Sequence, residues 1–147
     1  LGRFFERADK TSRILDVKYF ILLPDAAGVG SSLDNIQWAA VLKSASALEM
    51  YRKIHHRIDP RKVAEFLILD EVFPRSIRNA VSRAQRSPEK RIGKLCSELE
   101  FTDISEILSA GLHEFLDNLQ IKINAVGSSV SETFFILPLP LEQRQSQ

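Results

Sequence analysis

The first 23 residues, LGRFFERADKTSRILDVKYFILL, constrain the fold more than any other stretch. At about 100° per residue, Leu1, Phe4, Phe5, Ala8, Leu15, Tyr19 and Leu22 fall within one arc, the pattern of an amphipathic helix. Arg3, Glu6, Asp9, Lys10 and Arg13 lie across the remaining surface. Glu6 with Lys10 and Asp9 with Arg13 are i,i+4 pairs with the acid first, the favourable orientation.

The same 3.6-residue period recurs downstream, with only six glycines and few strand-like alternations, so the expected fold class is all-α. The spacing predicts a bundle of five or six helices with a long C-terminal helix packed beside the first. Pro24 to Ser32 reads as a loop, since Pro24, Gly28 and Gly30 disfavour a continuing helix. A second helix is expected over 33–54, with Ile36, Ala39, Ala40, Ala47 and Met50 sharing a neighbourhood and Trp38 as a core anchor or its edge. Asp59-Pro60 starts a third, with an acid at the N-cap and Pro at the first helical position. Val63, Phe66, Leu67 and Leu69 make it apolar enough to sit centrally, and Asp70–Pro74 ends it. A fourth follows over 74–86, with Ile77, Ala80, Val81 and Ala84 inward. Ser87-Pro88 restarts a fifth, running to Phe101 with Ile92, Leu95, Cys96 and Leu99 inward. The last helix is expected from Asp103 to Phe135, with a stripe of Ile104, Leu108, Gly111, Leu112, Phe115, Leu119, Val126 and Val130. Residues 1–136 thus form one helical domain. Residues 137–147, with Pro138 and Pro140, cannot propagate a helix and are expected to be an extended or disordered tail.

Composition narrows the function classes. With 44% hydrophobic and 27% charged residues in 147, the chain has the balance of a globular protein with a proper core. A net charge of +1 gives no general case for nucleic acid or anionic membrane. One cysteine rules out an internal disulfide and a Cys-rich metal site, and fits a cytoplasmic location. The apolar runs are too short to span a bilayer, and no signal peptide is evident. Because the chain starts without Met and inside a helical pattern, it is expected to be a fragment of a longer protein.

LGRFFERADKTSRILDVKY resembles the signature of the bacterial alpha-E family of all-helical domains with a Glu-Arg pair, here Glu6-Arg7. The similarity continues through LDNIQWAAVLKSASALEMYRK, DPRKVAEFLILDEVFPRSI and SEILSAGLHEFLDNLQIKINAVGSSVSETFF, in the expected order. Family members are usually about twice this length with a Glu-Arg helix in each half, and this chain resembles the later half. The resemblance therefore implies a missing N-terminal half as one partner. It further implies a circularly permuted ATP-grasp ligase, and often a transglutaminase-like peptidase, as the others. On this footing the domain is a non-catalytic binding or assembly module in ATP-dependent peptide ligation. The alternative is a catalytic domain of the same pathway, with Glu6 as acid/base and Arg7 or Arg13 as an anion clamp.

The leading candidate site is the charged face of the first helix. Arg3, Arg7, Lys10 and Arg13 can grip a carboxylate or phosphate, with Glu6 orienting a guanidinium by bidentate pairing. The plain alternative is a solvated face of i,i+4 pairs. A third reading makes Glu6 and Arg7 a buried structural pair, in which loss of one partner costs about 3–5 kcal/mol. His113, Glu114 and Asp117 form a secondary candidate, a partial match to HExxH with Asp at the second ligand position. No third ligand is evident, so a His–Asp hydrogen bond at a helix seam is expected and no metal. His55-His56 suits a helix C-terminus, and Cys96 suits a core position. The basic segment Arg75, Arg78, Arg83, Arg86, Lys90, Arg91 and Lys94 lacks interleaved aromatics, so a solvated surface is expected and nucleic acid is not. With no Walker A or Rossmann sequence, no cofactor is expected.

Overall fold

A computed structural model describes residues 2–22, 32–85 and 90–135. The described residues form eight helices and no strand: α1 Gly2–Leu22, α2 Ser32–Ser44, α3 Leu48–Ile54, α4 Pro60–Leu69, α5 Ile77–Ala84, α6 Lys90–Phe101, α7 Ile104–Ala110 and α8 Leu112–Phe135. The all-α class and the long final helix are as expected. The helix number is not, because two of the six expected helices are each broken once.

The first break splits the helix expected over 33–54. Ser46 adopts φ +53°, the left-handed region. Its N–H bonds the Lys43 carbonyl (2.8 Å), and the Ala47 N–H bonds the Leu42 carbonyl (2.7 Å), the pairing of a Schellman stop. Ala47 and Leu42, both fully buried, supply the apolar contact that accompanies this motif. The inward set changes with it. Ile36 is 66% exposed, whereas Trp38, Val41, Leu42 and Ala45 are buried. The second break is at Gly111, with φ +102°, which separates α7 from α8. Each part then takes its own phase. Ile107, Leu116 and Ile123 point inward, and Leu108 is exposed.

Elsewhere the local rules hold. Asp59 caps α4 by accepting the Lys62 N–H, with Pro60 at the first position. Five of its ten residues are buried: Val63, Ala64, Phe66, Leu67 and Ile68. After α4, the Asp70 carboxylate accepts the Val72 and Phe73 N–H groups (2.9 and 2.6 Å), closing an Asx turn. The Ser76 hydroxyl donates to the Asp70 carbonyl and accepts the Asn79 N–H, capping α5. Ile77, Ala80, Val81 and Ala84 of α5, and Ile92, Leu95, Cys96 and Leu99 of α6, are buried as their spacing predicts. Asp103 caps α7 through the Ser105 N–H.

In the assembled bundle α1 is the common neighbour, packing most extensively against α5 and α8 and also meeting α2 and α4. Phe5, Ala8 and Leu15 carry its contact face, with Phe4 half-buried. The loop at 24–31, the restart at Ser87-Pro88, the tail at 137–147, Leu1, and the side chains of Tyr19 and Leu22 lie outside the described residues. No helix among the described residues is long and apolar enough to cross a membrane.

Candidate functional site

The leading candidate lies where α1 faces the stop at the end of α2. Helical spacing puts Arg3, Glu6, Arg7, Lys10 and Ile14 on one face of α1. The opposite wall is the Ser44–Ser46 turn, and Arg75 closes one side. Together they border a concavity of about 330 Å3. Arg75 is positioned by two bonds. The buried Thr11 hydroxyl donates to its carbonyl (2.8 Å), tying the pre-α5 turn to α1, and its guanidinium donates to the Ala45 carbonyl (3.4 Å).

Glu6 does not orient a guanidinium. Its carboxylate accepts from Lys10 Nζ at 2.6 Å, with both side chains more than half exposed, so it is not half of a buried pair with Arg7 either. That bond, the Lys10 charge and then the Arg7 charge hold the Glu6 carboxyl below the usual carboxylate range. The Phe4 ring holds the arginines instead. The Arg3 and Arg7 guanidinium carbons lie 5.5 and 6.0 Å from its centroid, a cation–π arrangement. Arg13 leaves the group. Its Nε donates to Asp9 at 2.8 Å, and it does not line the concavity. The hollow thus gathers four cations and one already engaged carboxylate, which suits it to an anion.

The secondary candidates part company. His113 Nδ1 meets Asp16 of α1 at 2.7 Å, so the His–Asp bond runs across the α1–α8 seam and not to Asp117. Glu114 folds back over Gly111 and borders a separate groove between α6 and α8. Asp117 is exposed. Among the described residues no three His, Cys, Asp or Glu side chains converge as metal ligands. His55 ends α3 as its C-cap. Cys96 is buried, its Sγ 3.4 Å from the Ser82 hydroxyl. Of the basic segment, Arg78 pairs with Glu71 (2.8 Å), Arg91 donates to the Ala125 carbonyl (3.4 Å), and Arg75 joins the concavity. Arg86 and the Lys90 side chain lie outside the described residues.

The sequence reading missed Lys18 altogether. Its ammonium is buried between Asp34 and Gln37 of α2, 2.9 Å from each, and lies 5.0 Å from the Trp38 ring centroid. This pair clamps α1 to the first turn of α2. Lys18 follows the exposed Val17, and no local pattern marks it for burial.

The class this defines is a small all-α domain whose first helix presents a cationic hollow beside a left-handed turn. The chain belongs to the Alpha-E family, described as a predicted alpha-helical domain with a conserved ER motif, which it matches over residues 1–135. Glu6-Arg7 is the one Glu-Arg dipeptide in the chain, and both residues line the hollow. No curated protein and no solved structure matches the chain.

Proposed function

We propose that this Alpha-E domain is a non-catalytic binding or assembly module working with an ATP-grasp-type peptide ligase, and that its hollow grips a peptide carboxylate. The observation that carries the reading is the convergence of Arg3, Arg7 and Arg75 on an open space whose one lining carboxylate is engaged by Lys10. Guanidinium forks match a carboxylate in bidentate geometry. Stacking on Phe4 reduces the side-chain freedom that binding would otherwise have to restrict. Binding has more support than acid–base catalysis by Glu6. Lys10 favours the ionised carboxylate, which has no proton to donate and is a weaker base than a free one, and Arg13, the alternative anion clamp, faces Asp9.

The test is a fluorescence-anisotropy titration with one labelled peptide carrying either a free or an amidated C-terminus. The free form should bind more tightly, and Arg3→Gln with Arg7→Gln should remove the difference. Equal binding of both peptides would refute the carboxylate assignment. A pull-down with a circularly permuted ATP-grasp ligase checks the assembly role. Retention by the wild type and loss in the same double variant is the expected result.

A further inference from the structure

We infer that the junction between α3 and α4 is a second, independent anion site, suited to a small molecule bearing a phosphate or diphosphate group. His55, His56, Arg57 and Ile58, with Asn35 of α2 and Arg52 of α3, border a pocket of about 360 Å3. Asn35 lies in the first turn of α2 and Ser44 at its last residue, so this pocket and the Glu-Arg hollow are at opposite ends of that helix.

The junction is built to hold its shape. Tyr51 is fully buried, and its hydroxyl accepts the Asp59 N–H and donates to the Arg57 carbonyl, both at 3.3 Å. The His55 ring lies against the Tyr51 ring, with centroids 4.8 Å apart. Beyond it, Asp59 and Pro60 fix the start of α4. The segment carrying His56 and Arg57 is therefore anchored at both ends.

Its charge is uncompensated. Among the described residues four surface cations have acids: Lys10 has Glu6, Arg13 has Asp9, Arg78 has Glu71, and Lys122 has Glu98. Among the described residues the exposed side chains of Arg52, His56 and Arg57 make no ion pair or hydrogen bond. The nearby carboxylates are committed elsewhere or stand apart. Asp34 holds Lys18, Asp59 caps α4, and Glu49, one turn before Arg52, makes no ion pair among the described residues. In a chain of net charge +1 this is a local excess of positive charge with no acid lining it. Each guanidinium offers five N–H donors, and the imidazoles and the Asn35 amide add more. One carboxylate would have to share its two oxygens and single charge between the guanidiniums. A phosphate or diphosphate has the oxygens and the charge to engage both.

The probe is inorganic pyrophosphate, titrated at low salt and followed by calorimetry and by backbone amide shifts. One saturable site is expected, with shifts centred on 52–58. Arg52→Gln with Arg57→Gln should weaken it about tenfold or more, the expected loss for removing charge-assisted bonds. Both side chains are exposed, so an unchanged melting temperature should accompany that loss. Arg3→Gln with Arg7→Gln should leave this site intact, which keeps the result separate from that of the Glu-Arg hollow. The inference is overturned if binding is not saturable, if the Arg52/Arg57 variant binds as the wild type does, or if succinate binds as tightly as pyrophosphate.

Discussion

Nδ1 of His113 on α8 lies 2.7 Å from Oδ1 of Asp16 on α1, joining residues 97 apart across the seam between the first and last helices. The bond to Asp16 comes first among the causes that raise His113 above its ordinary 6.5, followed by the charges of Asp16, Glu114 and Asp117 acting against desolvation. A raised folded value means that the folded state favours imidazolium. The contribution to stability is therefore full below 6.5 and fades as pH rises through the folded value. Melting temperature should fall across that window in the wild type, and Asp16→Asn should flatten this part of the profile. An unchanged slope in the variant would remove the pair from the seam.

Glu6 and Arg7 are adjacent in the chain but act in opposite directions at the hollow. Glu6→Gln should leave the fold intact, because the Glu6–Lys10 pair is exposed. It should also tighten carboxylate-peptide binding by removing the negative charge from the hollow and freeing Lys10. Arg7→Gln should weaken the same binding. A titration that reads both variants in the same direction would contradict this division, and thermal denaturation checks that both remain folded.

The Lys18–Asp34 pair is nearly closed off from solvent, with side chains 6% and 14% exposed. Asp34→Ala strands the ammonium, with Gln37 and Trp38 as its remaining neighbours. A loss of about 3 kcal/mol is expected in urea unfolding, the lower end for breaking a buried ion pair.

Ser46 holds a left-handed conformation that costs a residue with a Cβ about 1–2 kcal/mol. Ser46→Gly should stabilise the domain by about 1 kcal/mol, a smaller gain because glycine also frees the unfolded chain. Denaturant unfolding measures it directly, and a destabilised variant would mean the serine side chain makes a larger contribution at the turn.

Gly111 presents the reverse case. At φ +102° an alanine is strained, and its Cβ would also meet the Glu114 carboxylate. Gly111→Ala should cost about 1–3 kcal/mol. The loss should appear as a lower midpoint in denaturant with an unchanged slope, since the two flanking helices remain paired.

Much of the fold was legible in the chain itself. Asp59-Pro60 carried its own start signal, and Ile77, Ala80, Val81 and Ala84 kept the period that buries them. The break at Ser46 was not legible, because neither Gly nor Pro marks it. There the burial of Leu42 and Ala47 overrides local helix preference. Gly111 is visible in the chain, but at helical spacing it falls on the inward stripe. Of the hollow, Arg3, Glu6, Arg7 and Lys10 followed from spacing along one helix. Arg75 did not, since its place depends on Thr11, 64 residues away.

The sequence by itself determined the helical class, most of the helix starts and the charged face of α1, because periodicity and capping act within a few residues. Only the tertiary structure decided that Arg75 joins the charged face of α1, that Lys18 is buried against Asp34, and that His113 reaches Asp16. Several partners are equally near along the chain or far from it. Packing alone selects which charge loses its water and which neighbour replaces it.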